Sequence, residues 1–337
     1  KGTNEDGGQG RCLLCSPSVL SNDIYYKKVL IENLIGNFAQ LKKDRDKKNK
    51  EKEFNMKKIG MIDLHIDEWH ANHYPEWFRT AAGGEAFELA GAWEESPAPG
   101  GKPLETWCRE MGIPAEHNLE RLVENCDVLC ILAPSNPEVH ERLAEIPLAS
   151  GKPVYLDKPF APDRATAERL FARAERYHTP LFSSSALRFS DEWLAAGDFR
   201  PQFLETRGGG SSFEEYGIHQ FEMVVSMMGT GIIRLEHRCC GITDHLNLTF
   251  ADGRGATLTR HPKLGFSALL TAGDRLLDIP KASSNMFPNL IAAMLKFFDT
   301  GIAPVPREET IAIAGLVEAS AEALRLPGGT VELVPSK

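Results

Sequence analysis

Two residues, Lys158 and His219, have side chains that are able to transfer a proton or to stabilise a charge. Lys158 comes directly after a short apolar strand, and His219 lies near the start of a predicted helix. Histidine has an ordinary pKa of about 6.5, so a neutral His219 is able to take a proton from a hydroxyl group near neutral pH. The ammonium of Lys158 is able to donate to the same oxygen and to stabilise negative charge there. The pair therefore predicts chemistry on a hydroxyl group.

Simpler interpretations of such residues stay open. A lysine and proline after a strand commonly form a surface loop, and one histidine on a helix is commonly structural. Arg188, in "SSSALRF", could bind a substrate or carry a surface charge. His140 could cap or pack its own helix.

The elements that must position Lys158 alternate between strand and helix from Met56 onward. Apolar runs predict strands at 59–62, 87–93, 127–133, 153–159 and 180–186, with helices at about 67–82, 104–111, 118–125, 137–150 and 163–177. Such alternation, with strands that are apolar almost throughout, predicts a parallel sheet covered by helices on both faces. Ligands of these sheets bind at the carboxyl ends of the strands, which is where Lys158 stands.

The pattern changes after about Arg188. Strand-like runs such as "FLETRGGG" and "LNLTFADGRGATLTR" are separated by turn signals, and "ADGRG" suits a hairpin. Helices are predicted at 217–229, 288–301 and 307–325. We therefore expect an α/β protein with a doubly wound N-terminal domain at 56–187 and a C-terminal α+β domain at 188–337 whose sheet is mainly antiparallel.

The first 55 residues have a different composition. They include the charged run "LKKDRDKKNKEKEFNMKK", which cannot bury enough apolar surface to fold alone. We expect residues 1–55 to be a disordered or foreign extension. Cys12 and Cys15 form a single C-x-x-C there, which is weak support for a zinc or redox site.

Overall composition excludes several classes of protein. The chain has 337 residues, a net charge of −9 and seven cysteines. The negative charge disfavours a nucleic-acid partner, and no apolar run approaches the ~20 residues that cross a bilayer. An odd number of cysteines without a disulfide pattern is typical of a reducing compartment. We expect a cytoplasmic protein with no nucleic-acid or membrane partner.

Three stretches, in this order, resemble the Gfo/Idh/MocA family of nicotinamide-dependent oxidoreductases. "GKPVYLDKP" resembles the family segment G-K-x-V-x-x-E-K-P, with Asp157 in place of the usual Glu. "GIHQFEMVVSMMGTG" is similar to the helix that bears the catalytic histidine, and "FFDTGIAPVPREETIAIAGLVEASAEA" to the C-terminal segment. The resemblance extends from about Lys57 to Leu333.

The resemblance implies a Rossmann-like N-terminal domain and reversible hydride transfer between NAD(P) and a hydroxyl of a sugar, cyclitol or related polyol. It makes His219 the base, Lys158 the oxyanion donor and Glu215 the residue that assists the histidine or holds a substrate hydroxyl. Asn136 is implied near the nicotinamide ribose, in a loop shaped by Pro134. Lys158, His219, Glu215 and Arg188 are the expected substrate ligands. The family also implies a homo-oligomer formed through the open face of the second sheet.

The turn after the first strand, "MIDLHIDEWH", departs from the glycine-rich sequence G-x-G-x-x-G. Asp63, His65 and Glu68 stand where glycines would let pyrophosphate approach the backbone. Either the cofactor phosphates are held by backbone groups from Leu64 to Glu68 at the helix N-terminus, or binding has been lost. Loss would leave a non-catalytic family member that senses a ligand or binds a partner.

Two further predictions concern cofactor and metal. Glu94, at the end of the second strand, is placed to bind ribose hydroxyls and to repel a 2′-phosphate, which favours NAD over NADP. Asp157, beside Lys158, is expected to anchor the loop at the cofactor site. His65, His70 and His73, with an aspartate, form a less favoured metal alternative, and we expect no metal.

Overall fold

The computed structural model describes residues 42, 56–326 and 328–333. From Met56 onward these residues form two sheets, one of five strands and one of seven. The expected α/β class, with a parallel sheet followed by a mainly antiparallel one, is confirmed. The predicted extension at 1–55, apart from Lys42, lies outside the described residues, as do Cys12 and Cys15. None of the described helices is long and apolar enough to cross a bilayer.

The first sheet is parallel and has the strand order β2-β1-β3-β4-β5. Its strands are β1 Lys57–Asp63, β2 Phe87–Glu94, β3 Val128–Ile131, β4 Val154–Leu156 and β5 Leu181–Phe182. The chain leaves β1 towards β2 on one side and later crosses to β3 on the other. This reversal puts a crevice at the carboxyl ends of β1 and β3, where doubly wound sheets bind their ligands.

Helices cover both faces of this sheet. They are α1 Trp69–Thr80, α2 Leu104–Met111, α3 Leu119–Asn125, α4 His140–Leu143 and α5 Arg164–Arg176. Successive strand residues point to opposite faces, so Met61 and Tyr155 belong to one apolar cluster and Ile62 and Leu156 to another. Buried apolar side chains on both faces explain why the strands are apolar almost throughout.

The second sheet has the order β11-β10-β6-β9-β8-β7-β12, with neighbouring strands antiparallel except β6 and β9. Its strands are β6 Phe203–Gly208, β7 Ile232–Cys240, β8 Thr243–Phe250, β9 Gly255–Arg260, β10 Ser267–Ala272, β11 Arg275–Ile279 and β12 Thr330–Glu332. Leu246 and Leu248 point inward whereas Asn247 and Thr249 are exposed, so this sheet buries one face only. The inner face packs against α6 Asp191–Ala195, α7 Phe213–Met228 and α9 Arg307–Ala323.

Helix α8, Met286–Thr300, returns to the first sheet. Its buried residues Leu290, Ile291, Met294 and Phe297 share an apolar cluster with Met61 and other residues of β1. The N-terminal end of α8 therefore lies beside the carboxyl edge of the parallel sheet. The domain boundary between residues 187 and 188 stays a prediction. Helix α8 follows that boundary in the sequence but packs against the first sheet.

Two sequence-based element predictions need correction. The helix expected at 137–150 is broken into a 3₁₀ turn Pro137–Val139, the short α4 and a second 3₁₀ turn Pro147–Ala149. Pro147 has no N–H to continue an α-helix, so the segment changes direction there. Strands β3, β4 and β5 are also shorter than expected, because the chain turns into site-forming loops at Ala133, Asp157 and Ser183.

Candidate active site

A cleft of about 380 Å³ opens at the carboxyl edge of the parallel sheet, between that edge and the helices α7 and α8. It brings together five of the residues predicted from sequence, namely Pro134, Asp157, Lys158, Glu215 and His219. It also includes residues that were not predicted as its lining, among them Glu68, Trp69, His70, Tyr74, Ser184, Ser185, Tyr216, Phe266, Met286 and Phe287. The proximity of Lys158 and His219 follows from the fold, because β4 ends where α7 begins its second turn.

Lys158 is fixed through its backbone and free at its ammonium group. Its N–H donates to the Oδ1 of Asp157 over 2.8 Å, which holds the residue at the end of β4. Within the described part of the chain, no acceptor or carboxylate contacts the Nζ of Lys158. The cleft therefore contains an ammonium group without a direct hydrogen-bond partner, which is suited to a developing oxyanion.

Asp157 is fully buried and strongly engaged. Its Oδ1 accepts the hydroxyl of Tyr155 over 3.0 Å, and its Oδ2 contacts the Nδ1 of His70. Burial opposes ionisation, but the electrostatic interaction and hydrogen bond with His70, together with Lys158, lower the pKa of Asp157 to about 2. Asp157 is therefore a carboxylate at neutral pH, and it holds a histidine as well as the loop.

His70 lies in the first turn of α1 and stacks on Tyr74, with ring centroids 5.2 Å apart. Its Nδ1 contacts Asp157, its Nε2 has no partner among the described residues, and the residue lines the cleft. In the sequence His70 was a metal candidate, and the helix segment "HANH" was also open to contact with substrate or to packing. The sequence signal that could have indicated its role is a histidine in the first turn of the helix that follows the first strand.

His219 lies on α7, whose start is one turn earlier than predicted because the Ser212 side chain caps the N–H of Glu215. The Nδ1 of His219 is 2.7 Å from the hydroxyl of Ser185. Burial, followed by the positive charge of Lys158, lowers the pKa of His219 to about 3. His219 is therefore neutral at physiological pH.

The segment that carries Ser185 is held by a buried ion-pair cluster. Glu222, one turn after His219 on α7, accepts the N–H of Ser185 over 3.0 Å. Arg188 donates to Glu222 over 2.7 Å and also pairs with Glu309. Arg188 does not line the cleft, so the predicted substrate contact finds no support in this geometry. Its charge is used to fix the loop behind His219.

Glu215 is exposed at the mouth of the cleft, four residues before His219 on the same helix. Its carboxylate accepts the hydroxyl of Ser211 over 2.6 Å. The Nδ1 of His219 is occupied by Ser185 instead, so the structure does not place Glu215 as the direct partner of the histidine. Glu215 remains positioned to accept a hydrogen bond from a ligand hydroxyl.

At the other end of the crevice, Asp63 occupies the position of the first missing glycine. Its buried Oδ1 accepts the N–H groups of Ala133 over 3.1 Å and of His65 over 3.3 Å. Its Oδ2 is buried without a partner. Burial raises the pKa of Asp63 well above its usual range. The side chain thus bridges β1 and β3, and it occupies the amide of His65, in the turn where a glycine-rich loop would bind phosphate, as well as the amide of Ala133.

Other residues of this turn also form hydrogen bonds within the protein. Glu94 accepts the N–H of Ile66 over 3.0 Å and that of Leu104 over 2.9 Å. The ring of His65 lies 2.6 Å from the carbonyl of Ser96, and the carbonyl of Leu64 accepts the N–H of Ser96 over 3.2 Å. Glu94 stands at the predicted position, at the end of β2, with a backbone partner for each of its oxygens.

These observations test how a dinucleotide would fit. The crevice between β1 and β3, the cleft and the acid at the end of β2 suit the nicotinamide and ribose parts. In the described chain, the amides of Trp69, His70 and Ala71 at the start of α1 have no acceptor, so this end of α1 suits pyrophosphate. The frame fits NAD, with the phosphates held by the helix end instead of a glycine turn.

Asn136 and the metal candidates have other partners. The Asn136 amide donates to Glu138 over 2.9 Å, and Asn136 does not line the cleft, whereas its neighbour Pro134 does. His73 contacts the carbonyl of Trp69 on its own helix. His65, His70 and His73 thus point to three different acceptors. Among the residues described, no group of three side chains from His, Cys, Asp and Glu is arranged to hold a metal.

Comparison with known proteins agrees with this fold. Residues 60–184 match the sequence profile of an oxidoreductase family with an NAD-binding Rossmann fold, Gfo/Idh/MocA. No curated protein sequence matches the chain at a significant level.

Solved structures share the architecture. The myo-inositol 2-dehydrogenase of Lactobacillus plantarum has a TM-score of 0.69 at 15% identity, over 83% of this chain and 100% of that one. The UDP-N-acetylglucosamine 3-dehydrogenase of Acidithiobacillus ferrooxidans has a TM-score of 0.64 at 14% identity, over 78% and 95% of the two chains. An oxidoreductase of Agrobacterium radiobacter, in complex with NAD+, L-tartaric acid and magnesium, has a TM-score of 0.63 at 15% identity, over 82% and 98%.

At these identities the structural likeness shows the fold alone. The family match rests on residues 60–184, the part of the chain that carries Asp63, Asp157 and Lys158, and this part is similar to the Gfo/Idh/MocA oxidoreductases with their NAD-binding Rossmann fold.

Proposed function

We propose that the chain transfers hydride reversibly between NAD(P) and a hydroxyl group of a neutral sugar, cyclitol or related polyol. The observation that carries this proposal is the meeting of Lys158 and His219 in one cleft at the carboxyl edge of the parallel sheet. Lys158 comes from β4 and His219 from α7, so the reacting carbon would lie between the two parts of the fold.

The charges of the cleft favour a neutral substrate. Lys158 is its one lysine, and no arginine lines it within the described part of the chain. The carboxylates of Glu68 and Glu215 disfavour a phosphate or a carboxylate on the substrate, but accept hydrogen bonds from hydroxyl groups. Trp69 and Phe287, with ring centroids 5.2 Å apart, offer an apolar wall to the C–H face of a sugar or cyclitol ring.

The substrate classes of two structural neighbours support this choice. One is named as a dehydrogenase of myo-inositol and another as a dehydrogenase of a nucleotide-linked sugar. The lack of an arginine in this cleft favours the cyclitol or free sugar over a ligand that carries phosphates.

The residues present divide the work as follows. The amides at the start of α1 would hold the pyrophosphate, Glu94 would lie near the ribose, and the loop of Pro134 and Ser135 would lie against the nicotinamide. When bound, NAD supplies the hydride acceptor. Lys158 donates to the substrate oxygen, and His219 contacts the same hydroxyl group from the opposite side. The base role of His219 stays a prediction from sequence.

NADH formation by the full chain tests the proposal. We expect turnover with NAD+ and at least one of a panel containing myo-inositol, other cyclitols and free hexoses. His219→Ala should lower kcat by about 10²–10⁴-fold and leave NAD affinity nearly unchanged, as expected for a group that acts on the substrate. His73→Ala, on the neighbouring helix surface, is the control. Turnover that survives His219→Ala unchanged would contradict the proposal.

One observation favours a second candidate, a non-catalytic protein that senses a ligand or binds a partner. Asp63 uses two amides of the phosphate-binding crevice. If neither NAD nor NADP binds at millimolar concentration in calorimetry, this second candidate replaces the first.

We also propose that the chain forms a homo-oligomer through the outer face of the second sheet. That face presents polar residues such as Asn247 and Thr249 and the ion pair between Arg234 and Glu236. Light scattering at several concentrations tests this assembly, and a monomer at all of them would contradict it.

A further inference from the structure

We propose that His70, oriented by Asp157, is the base that removes the hydroxyl proton, and that His219 is a neutral hydrogen-bond donor to the same oxygen. The inference rests on the proposed function. It assigns to His70 the role of base that the sequence suggested for His219. His70 and His219 both line the cleft. For each neutral ring, the hydrogen-bond partner of Nδ1 determines whether Nε2 is a proton acceptor or a hydrogen-bond donor.

The partner of His70 is a carboxylate, which only accepts hydrogen bonds. The Nδ1 of His70 contacts the Oδ2 of Asp157, so this nitrogen must carry the hydrogen. In the neutral ring, Nε2 then has a free lone pair that faces the cleft. When Nε2 takes a proton, the buried negative charge of Asp157 lies directly against the new imidazolium. Asp157 acts here as a positioning residue.

The partner of His219 is a hydroxyl group that is already accepting. Buried Ser185 accepts the N–H of Leu187 over 3.3 Å, and its oxygen lies 2.7 Å from the Nδ1 of His219. In the described structure, the Ser185 hydrogen has no acceptor other than that nitrogen. Ser185 therefore donates to Nδ1, and the neutral ring carries its hydrogen on Nε2, which faces the cleft as a donor.

The surrounding charges agree with this division. Lys158 and His219 lie on the cleft side of His70, Glu68 lies beside α1, and Tyr74 and Tyr155 are neutral neighbours of Asp157. His219 has no carboxylate partner, and burial, followed by the positive charge of Lys158, lowers its pKa to about 3. A proton placed on His219 would therefore be poorly stabilised.

The resulting step balances. The substrate O–H bond breaks and its proton goes to the Nε2 of His70, while Lys158 and the Nε2–H of His219 donate to the oxygen. A bound NAD+ would accept the carbinol hydrogen with its electron pair as hydride, and the electron pair left on the oxygen would form the C=O bond. His70 then returns its proton to solvent. A neutral histidine that polarises an oxygen is chemically well precedented.

The first test needs no turnover. Long-range ¹H–¹⁵N spectra of the full chain at neutral pH report which ring nitrogen of each histidine carries hydrogen, with His70→Gln and His219→Gln assigning the signals. We expect His70 to carry its hydrogen on Nδ1 and His219 on Nε2. The reverse pair of tautomers would overturn the proposal, whatever the enzyme assay shows.

The second test compares Gln and Ala, because a glutamine amide donates a hydrogen bond but cannot take a proton. We expect His219→Gln to recover at least about tenfold of the turnover lost in His219→Ala, as suits a donor to an oxyanion. His70→Gln should be as impaired as His70→Ala, about 10²-fold or more below the wild type. The control variant His73→Gln changes a residue that lies about one turn after His70 on α1. Its turnover should stay within about twofold of the wild type.

The outcomes separate this inference from the proposed function. Turnover by the wild type, with glutamine rescue at 70 and not at 219, would overturn the assignment of the base while the activity stands. No turnover of any cyclitol or hexose would contradict the proposed function, and the tautomers would still decide the arrangement of His70 and Asp157.

Discussion

The two ends of the cofactor crevice differ in what builds them. At the substrate end, side chains project into an open cleft, and Lys158 has no competing partner in the described chain. At the phosphate end, the side chains of Asp63, His65 and Glu94 fold back onto the protein's own backbone. The substrate end therefore offers free polar groups, whereas the phosphate end has satisfied most of its own.

This difference teaches where a family site tolerates change. A glycine turn binds phosphate through main-chain amides. A side chain at that position that carries an oxygen atom can therefore accept those hydrogen bonds in place of the phosphate. The carboxyl oxygen of Asp63 does so for the amides of His65 and Ala133. Under the proposed function, the substrate end depends on the side chains of Lys158 and His219, so a change of residue type there would lower turnover.

The largest effect should come from the substrate end. Lys158→Ala removes the free cation of the cleft, so we expect kcat to fall by about 10²–10³-fold with weaker substrate binding. NAD affinity should change little, and steady-state kinetics with calorimetry measure both. Lys102→Ala, which removes an exposed lysine paired with Glu110, is the control. If Lys158→Ala lowers NAD affinity and leaves kcat unchanged, the proposed difference between the two ends is wrong.

A smaller effect, on binding alone, is expected at the phosphate end. Asp63→Gly releases two amides and removes a buried carboxyl, so NAD should bind about tenfold more tightly, the worth of one charge-assisted hydrogen bond. Asp67→Gly is the matched control, because it removes an acid from the same turn without freeing those amides. Equal gains in both variants would mean that charge alone, and not the blocked amides, weakens binding.

The two ends should also respond oppositely to pH. His219 has its pKa lowered to about 3 in the folded chain, so the unfolded chain binds the extra proton between that value and about 6.5. The stability contributed by the neutral ring is therefore lost as pH falls through this window. Relative to His219→Gln, the wild type should lose about 2 kcal/mol of unfolding free energy between pH 7 and pH 5. Urea titrations at both pH values measure this difference.

Asp63 should show the opposite sign. Burial raises its folded pKa well above the ordinary aspartate value, so the stability contributed by the protonated form is lost as pH rises from that ordinary value through the raised pKa. Asp63→Asn keeps an acceptor for Ala133 and His65 and cannot ionise. Its stability relative to the wild type should therefore increase with pH over that range, and a flat difference would show that Asp63 is not strained by burial.

The fold and the substrate end were largely predictable from sequence. Periodicity identified the alternating strands and helices, and the order of the three family segments placed Lys158 and His219 at one cleft. The partners of these residues were not predictable, because they depend on contacts across the fold. Asp157 meets His70 from α1, Ser185 meets His219 from α7, and α8 returns to the first sheet with Phe287. The use of Arg188 as an internal ion-pair partner is a further long-range contact that spacing alone does not reveal.

Hydride transfer from carbon to the nicotinamide is the central claim, and isotope transfer tests it most directly. The full chain would be incubated with NAD+ and myo-inositol or hexoses deuterated at carbon, and the reduced cofactor analysed by mass spectrometry. We predict deuterium in NADH from at least one of these substrates with the wild type, and an initial rate of transfer about 10²–10³-fold lower with Lys158→Ala. No deuterated NADH from any of them, although NAD binds, would contradict the account.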